Sequence, residues 1–180
     1  ALLRSPSPRG RALDDRRAPP AHVAARYGLV VVRRLGDGVP AAGGRGRCGR
    51  RVVVDAFGLA VWVIGFGIEV AADRQKRQFR RNSGNRGRFI TTGLWAWSRH
   101  PNYFGEIVLW TGVALLALPV LTGWQYVTLV SPLFVYLLLT RVSGVPLLEA
   151  RAEQKWGDDP EYRAYRDRTP VLTMRPPRPA

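Results

Sequence analysis

Cysteine is almost missing from this chain of 180 residues. The single Cys48 rules out an internal disulfide and any cysteine-built metal site. Histidine is nearly as scarce. His22 and His100 stand too far apart, and too unaccompanied, to form a zinc motif, so no metal site is expected. Acidic residues are few, 13 Asp and Glu against 28 Lys and Arg, which leaves a formal charge of +15. Residues 1–51 contain no span-length apolar run and one aromatic, Tyr27. The first twenty residues carry charges and prolines where a secretory signal needs an apolar core, so no such signal is expected. Nucleic-acid binding would need aromatics interleaved with the arginines, and their absence speaks against it.

The charge is uneven. Residues 1–51 hold twelve Arg and three Asp, and the remainder holds sixteen basic and ten acidic residues. Residues 1–51 are mostly Arg, Gly, Ala and Pro. They read either as a disordered basic leader or as non-native coding from a shifted frame of a GC-rich gene.

From Asp55 the character changes to apolar. Residues 56–72 are just long enough for a transmembrane helix, with Gly58, Gly65 and Gly67 suited to close helix packing. Residues 104–121 form a second span. Residues 124–140 form a third, with a kink expected at Pro132. Trp110, Trp124 and Tyr126 are candidate interface anchors. The first connection carries Arg74, Lys76, Arg77, Arg80, Arg81, Arg86, Arg88 and Arg99, whereas the second, around Thr122 and Gly123, carries no charge. The positive-inside rule places the basic connection in the cytoplasm. Arg45, Arg47, Arg50 and Arg51 then precede the first span on the opposite face, against that rule. After a break at Gly144 and Pro146, a helix is expected over residues 146–156, followed by a charged aromatic segment at 162–170 and a Pro-rich tail. The expected fold is all-α, a polytopic transmembrane bundle of about three spans plus a C-terminal helix on the cytoplasmic side. Its domain covers residues 52–176, with a tail at 177–180.

Polar residues gather at the threshold of the second span. Glu69 and Asp73 lie four apart and share a helix face, where they either pair with Arg77 or hydrogen-bond a polar ligand in the bundle mouth. Arg86 and Arg88 sit in a Gly- and Asn-containing loop, open to either anionic lipid or a phosphate clamp. His100 precedes Pro101 and reads as a local hydrogen-bond partner. Asn102 is positioned to cap the next helix, and Glu106 to complement its N-terminus.

Gly93-Leu94-Trp95 followed by Ser98-Arg99-His100-Pro101-Asn102-Tyr103-Phe104-Gly105-Glu106 resembles the C-terminal half of the steroid 5-alpha-reductase superfamily, especially its bacterial membrane members of unassigned substrate. The resemblance runs from about Val52 to Pro176 and includes Leu148-Glu149 and Tyr162-Arg163-Ala164-Tyr165. It implies an NADPH-dependent oxidoreductase that delivers hydride to an activated C=C bond of a lipid-like substrate, steroid or enoyl. Carried over by position, Asn102, Tyr103 and Glu106 line the nicotinamide end, with His100 beside them. Glu69 and Asp73 make polar cofactor contacts, Arg86, Arg88 and Arg99 face the phosphates, and Tyr162 and Tyr165 close the pocket. Sterol reductases and isoprenylcysteine carboxyl methyltransferases carry similar motifs, so an S-adenosylmethionine-dependent methyltransferase is the alternative, and a non-catalytic membrane remnant a third. The superfamily's upstream spans are not present in residues 1–51, and the residue that polarises the substrate carbonyl has no candidate there. The resemblance also implies an integral protein of the bacterial inner membrane, its cofactor side cytoplasmic and its partners the bilayer and a lipid-like small molecule. Neither the catalytic residues nor the oligomeric state can be read from the sequence.

Overall fold

The computed structural model describes residues 45–177, and the side chains of 52–177. Most of the expected basic leader, together with positions 178–180 of the tail, lies outside the described residues. Helix is the only regular secondary structure among the described residues, with three segments long and apolar enough to cross a membrane. The expected all-α membrane bundle is the observed one. In hydrocarbon a backbone must satisfy its own hydrogen bonds, and helices do so within each segment.

Helix α1 runs over Arg45–Arg81, 37 residues, which at 1.5 Å per residue makes it about 55 Å long. It outruns the ~30 Å hydrocarbon core. The expected span ended at Ala72, but the helix continues because residues 73–81 contain neither Gly nor Pro. Arg80 and Arg81 occupy its last turn, where cations complement the helix dipole. Asn82 then turns the chain, its Oδ1 accepting from Gly84 N at 3.0 Å.

Helix α2, Pro101–Ala117, begins with proline in its first turn and passes into a 3-10 turn, Leu118–Val120. The α1–α2 pair is the main packing unit. Its seam is built from small residues at seven-residue spacing: Gly58 and Gly65 on α1, Gly105 and Gly112 on α2. A Cβ on Gly105 would stand 2.7 Å from Glu69 N and 2.8 Å from Gly65 O, and one on Gly112 would stand 2.5 Å from Trp62 N. The two backbones therefore approach closely, as small residues allow between membrane helices. Gly67, by contrast, faces open space, so the packing role expected of it falls to Gly58 and Gly65 alone.

The third span is irregular. Gly123–Val130 is 3-10, α3 covers Ser131–Leu137, and Leu138–Val142 forms a π-helical turn. Thr122 and Gln125 close a capping box at its start. The kink expected at Pro132 takes another form: proline sits in the first turn of α3, where its missing N–H costs nothing, and the break falls just before it. Val53, Phe57, Ile64, Trp124, Val127 and Phe134 are exposed along the spans, as lipid-facing side chains are.

Beyond Gly144 the chain forms two helices where one was expected, α4 (Val145–Trp156) and α5 (Pro160–Arg168). The second helix exists because Asp159 accepts from Glu161 N at 2.8 Å and Pro160 opens the first turn.

Candidate functional site

The site forms where α1 leaves the apolar zone, α2 enters it, and α4 and α5 fold back against both. The turn Gly93–Ala96 is fixed first. Gly93, at φ +64°, lies against the Gln75 side chain, and Leu94 N donates to Gln75 Oε1 at 2.9 Å. Trp95 is buried, its Nε1 donating to Ala72 O at 3.1 Å while Lys76 Nζ lies 4.7 Å from its ring centroid. The Gly-Leu-Trp element is thus bolted to the polar extension of α1.

Close approach at Gly105 brings a group of carboxyl side chains together. Glu106 of α2 lies within electrostatic reach of Glu69 and Asp73 on α1, and Tyr103 within reach of Glu106 and Asp73. Neither Glu69 nor Asp73 pairs with Arg77 among the described residues, so the pairing expected as one alternative is not formed. Glu69 Oε2 is buried and has no hydrogen-bond partner.

A second network joins α2 to α4. Glu149 accepts from Arg99 Nη1 through Oε2, and its Oε1 lies 2.7 Å from His100 Nε2. His100 was expected to bond locally, but its side chain bonds a carboxylate 49 residues along the chain. The Arg99 and Glu149 side chains are 12% and 27% exposed, so this ion pair is largely shielded from water. Arg99 Nε is buried without a partner. Tyr103 connects the two networks: its ring stacks on His100 with centroids 5.6 Å apart and planes 12° apart, and its Cε2 lies 3.0 Å from where a Cβ on Gly144 would be.

An aromatic wall completes one side. Tyr165 Oη donates to Trp95 O at 2.6 Å. Phe89 meets Tyr162 edge-on at 5.2 Å and Trp156 at 5.8 Å, and Trp156 Nε1 donates to Gly87 O at 2.5 Å. Burial pushes the phenols of Tyr162 and Tyr165 above the ordinary tyrosine range, and the nearby Glu149 carboxylate acts in the same direction. Both hydroxyls are neutral donors at physiological pH.

The structure therefore assembles Glu69, Asp73, Tyr103 and Glu106 in one group and Arg99, His100, Tyr162 and Tyr165 in an adjoining one. Arg86 and Arg88 stand apart on the exposed loop, and neither guanidinium makes an ion pair or hydrogen bond among the described residues. The expected cap at Asn102 is wrong. Pro101 takes the first helical position, so His100 is the cap residue, and Asn102 lies inside the first turn. Sequence reasoning missed Glu149 as the partner of Arg99 and His100, Ser98 as a buried anchor, and Phe89 and Trp156 as wall residues. The first of these left one signal, a carboxylate within the matched Leu148-Glu149 pair.

The family described as "Protein of unknown function (DUF1295)" matches residues 41–169. Over 69 residues the chain is 33% identical to 3-oxo-5-alpha-steroid 4-dehydrogenase 1 of Bos taurus, a stretch covering 38% of this chain and 26% of that protein. The chain thus spans about a quarter of the length of the relative it matches. No solved structure matches. With three membrane-length helices, the chain is an integral membrane protein. It belongs to the DUF1295 family, a steroid 5-alpha-reductase-like family.

Proposed function

We propose that this protein is a membrane-embedded reductase that uses NADPH to saturate an activated C=C bond in a lipid-like substrate, steroid or enoyl. The observation that carries this reading is the junction at Tyr103. There a carboxylate group and an Arg–Glu–His network adjoin, and each contributes one buried polar atom without a partner, Glu69 Oε2 and Arg99 Nε. Buried polar groups normally find partners, so orphaned ones suit a polar ligand. The similarity to a steroid 4-dehydrogenase points the same way.

The donor set fits a dinucleotide phosphate. The uncommitted guanidinium groups of Arg86 and Arg88 suit phosphate oxygens, to which Arg forks bind well. Glu69, Asp73 and Glu106 are acceptors suited to ribose hydroxyls and a carboxamide, and Asn102 supplies both donor and acceptor. NADPH would supply the hydride. The protein's own part is to orient and to exclude water: Tyr103 is held between His100 and Gly144, and the wall of Phe89, Trp156, Tyr162 and Tyr165 shields the site. By charge asymmetry the basic connection, and with it the site, faces the cytoplasm, in the manner of a bacterial inner-membrane protein.

The test is cofactor titration of the detergent-purified protein, read by tryptophan fluorescence. NADPH should bind more tightly than NADH, and Arg88→Ala should weaken NADPH roughly tenfold, the value of one charge-assisted hydrogen bond of about 1.5 kcal/mol. Asn102→Ala should weaken both dinucleotides alike. Saturable S-adenosylmethionine binding with no dinucleotide binding would replace this reading with the methyltransferase one.

A further inference from the structure

Residues 170–175 lie alongside residues 97–100. Pro170 O accepts from Arg99 N at 2.9 Å, Val171 O accepts from His100 N at 3.1 Å, and Arg175 N donates to Trp97 O at 3.1 Å. Ser98 ties the two segments together. Its Oγ donates to Val171 O at 3.3 Å and accepts from His100 N at 3.2 Å, and the residue is 0% exposed. Thr169, where the tail begins, is also buried.

The arrangement solves a backbone problem. His100 is the cap of α2 and Arg99 precedes it, so neither N–H belongs to the helical ladder, and Pro101 has no N–H at all. Buried N–H groups need acceptors. The tail carbonyls supply them and thereby fix the backbone at 99 and 100, from which two consecutive side chains reach the same carboxylate. The segment is thereby tied to the two residues that hold Glu149.

We infer that residues 170–175 are a strap that orients Arg99 and His100 toward Glu149, with Ser98 as the positioning residue through which it acts. The geometric claim stands independently of the cofactor. Its consequence for binding rests on the reductase reading above.

The experiment uses the full chain in detergent micelles. With only two histidines in the sequence, His22→Gln leaves His100 as a single reporter for nitrogen NMR. Arg175→Pro deletes the N–H that bonds Trp97 O, Arg175→Ala keeps it, and Ser98→Ala removes the hydroxyl bridge. In Arg175→Pro and Ser98→Ala, amide exchange at Arg99 and His100 should accelerate at least tenfold. The His100 Nε2 signal should move toward its position in Glu149→Gln, while exchange in α1 and α2 stays unchanged. Arg175→Ala should behave as the parent. The inference is overturned by unaltered exchange at 99 and 100, by an unmoved Nε2 signal, or by loss of protection spread equally over α1 and α2, which would mark the tail as general stabilisation. NADPH titration forms the second arm, with affinity expected to fall at least threefold in both strap variants. If the parent itself binds no NADPH while the exchange and NMR results hold, the reductase reading fails and the strap survives.

Discussion

Two glutamates four residues apart on α4 should respond very differently to loss of charge. Glu149 bonds Arg99 and His100, with side-chain exposures of 27%, 12% and 7% across the three groups. Glu153 pairs with Arg166 at 2.5 Å, with exposures of 51% and 37%. Breaking a buried pair strands a cation away from water and costs about 3–5 kcal/mol. Water reaches Glu149 in part, and the amide of Glu149→Gln keeps one hydrogen bond to His100, so about 2–3 kcal/mol is expected there. Glu153→Gln should leave stability unmoved, because an exposed pair gains little that water does not already supply. The measurement is reversible unfolding in mixed detergent followed by far-UV circular dichroism. A double variant, Arg99→Leu with Glu149→Leu, should be less destabilised than the sum of its parts, since neither charge is then stranded. Equal shifts for Glu149→Gln and Glu153→Gln would refute the reasoning. So would strict additivity of the double variant.

The spans were legible because hydropathy is a property of composition, and lipid leaves a helix as the answer to a long apolar run. Helix ends were not so legible. Residues 73–81 are too polar for a hydropathy window yet contain nothing that breaks a helix, so α1 runs on to Arg81. The motif from Gly93 to Glu106 contributes Arg99, His100, Tyr103 and Glu106 to the two groups. Its partners were harder to see because they lie far along the chain. Glu149 meets Arg99 and His100 across 50 and 49 residues, and only the break at Gly144 turns α4 back toward them. The strap left no sequence signal, since three of its bonds are backbone to backbone and any residue but proline can donate them. Asn102 has a strong capping preference, but Pro101 stands beside it. Pro101 suits the first helical slot better than any other residue, and that moved the cap to His100.

The α1–α2 seam gives a matched pair of tests. Gly105→Val should cost about 1–3 kcal/mol or more by overpacking against Glu69 N and Gly65 O, whereas Gly67→Ala, which meets nothing within 4 Å, should be neutral or stabilise α1 by up to ~1 kcal/mol. Similar unfolding midpoints for the two would show that the seam is not close-packed. Tyr165 supplies a pH test. Its folded phenol is raised above the unfolded value near 10, so its contribution is complete below about pH 10 and is lost as pH climbs through the folded value. Tyr165→Phe should flatten the alkaline decline in stability and cost about 1–2 kcal/mol at neutral pH for the unpaired Trp95 carbonyl. An unchanged alkaline limb would refute that assignment. Gly144 joins fold to site most directly. A Cβ there would stand 2.6 Å from Leu139 O, which is backbone and cannot swing away, and 3.0 Å from Tyr103 Cε2, which can. Gly144→Ala should therefore cost about 1–3 kcal/mol and displace the Tyr103 ring from His100. Adding Tyr103→Leu frees the ring's space but leaves the carbonyl in place, so it should recover only part of the loss. Full recovery in the double variant would mean that the ring alone sets the requirement for glycine. A neutral Gly144→Ala would mean that α4 approaches α2 by another path and that Tyr103 does not join the two networks.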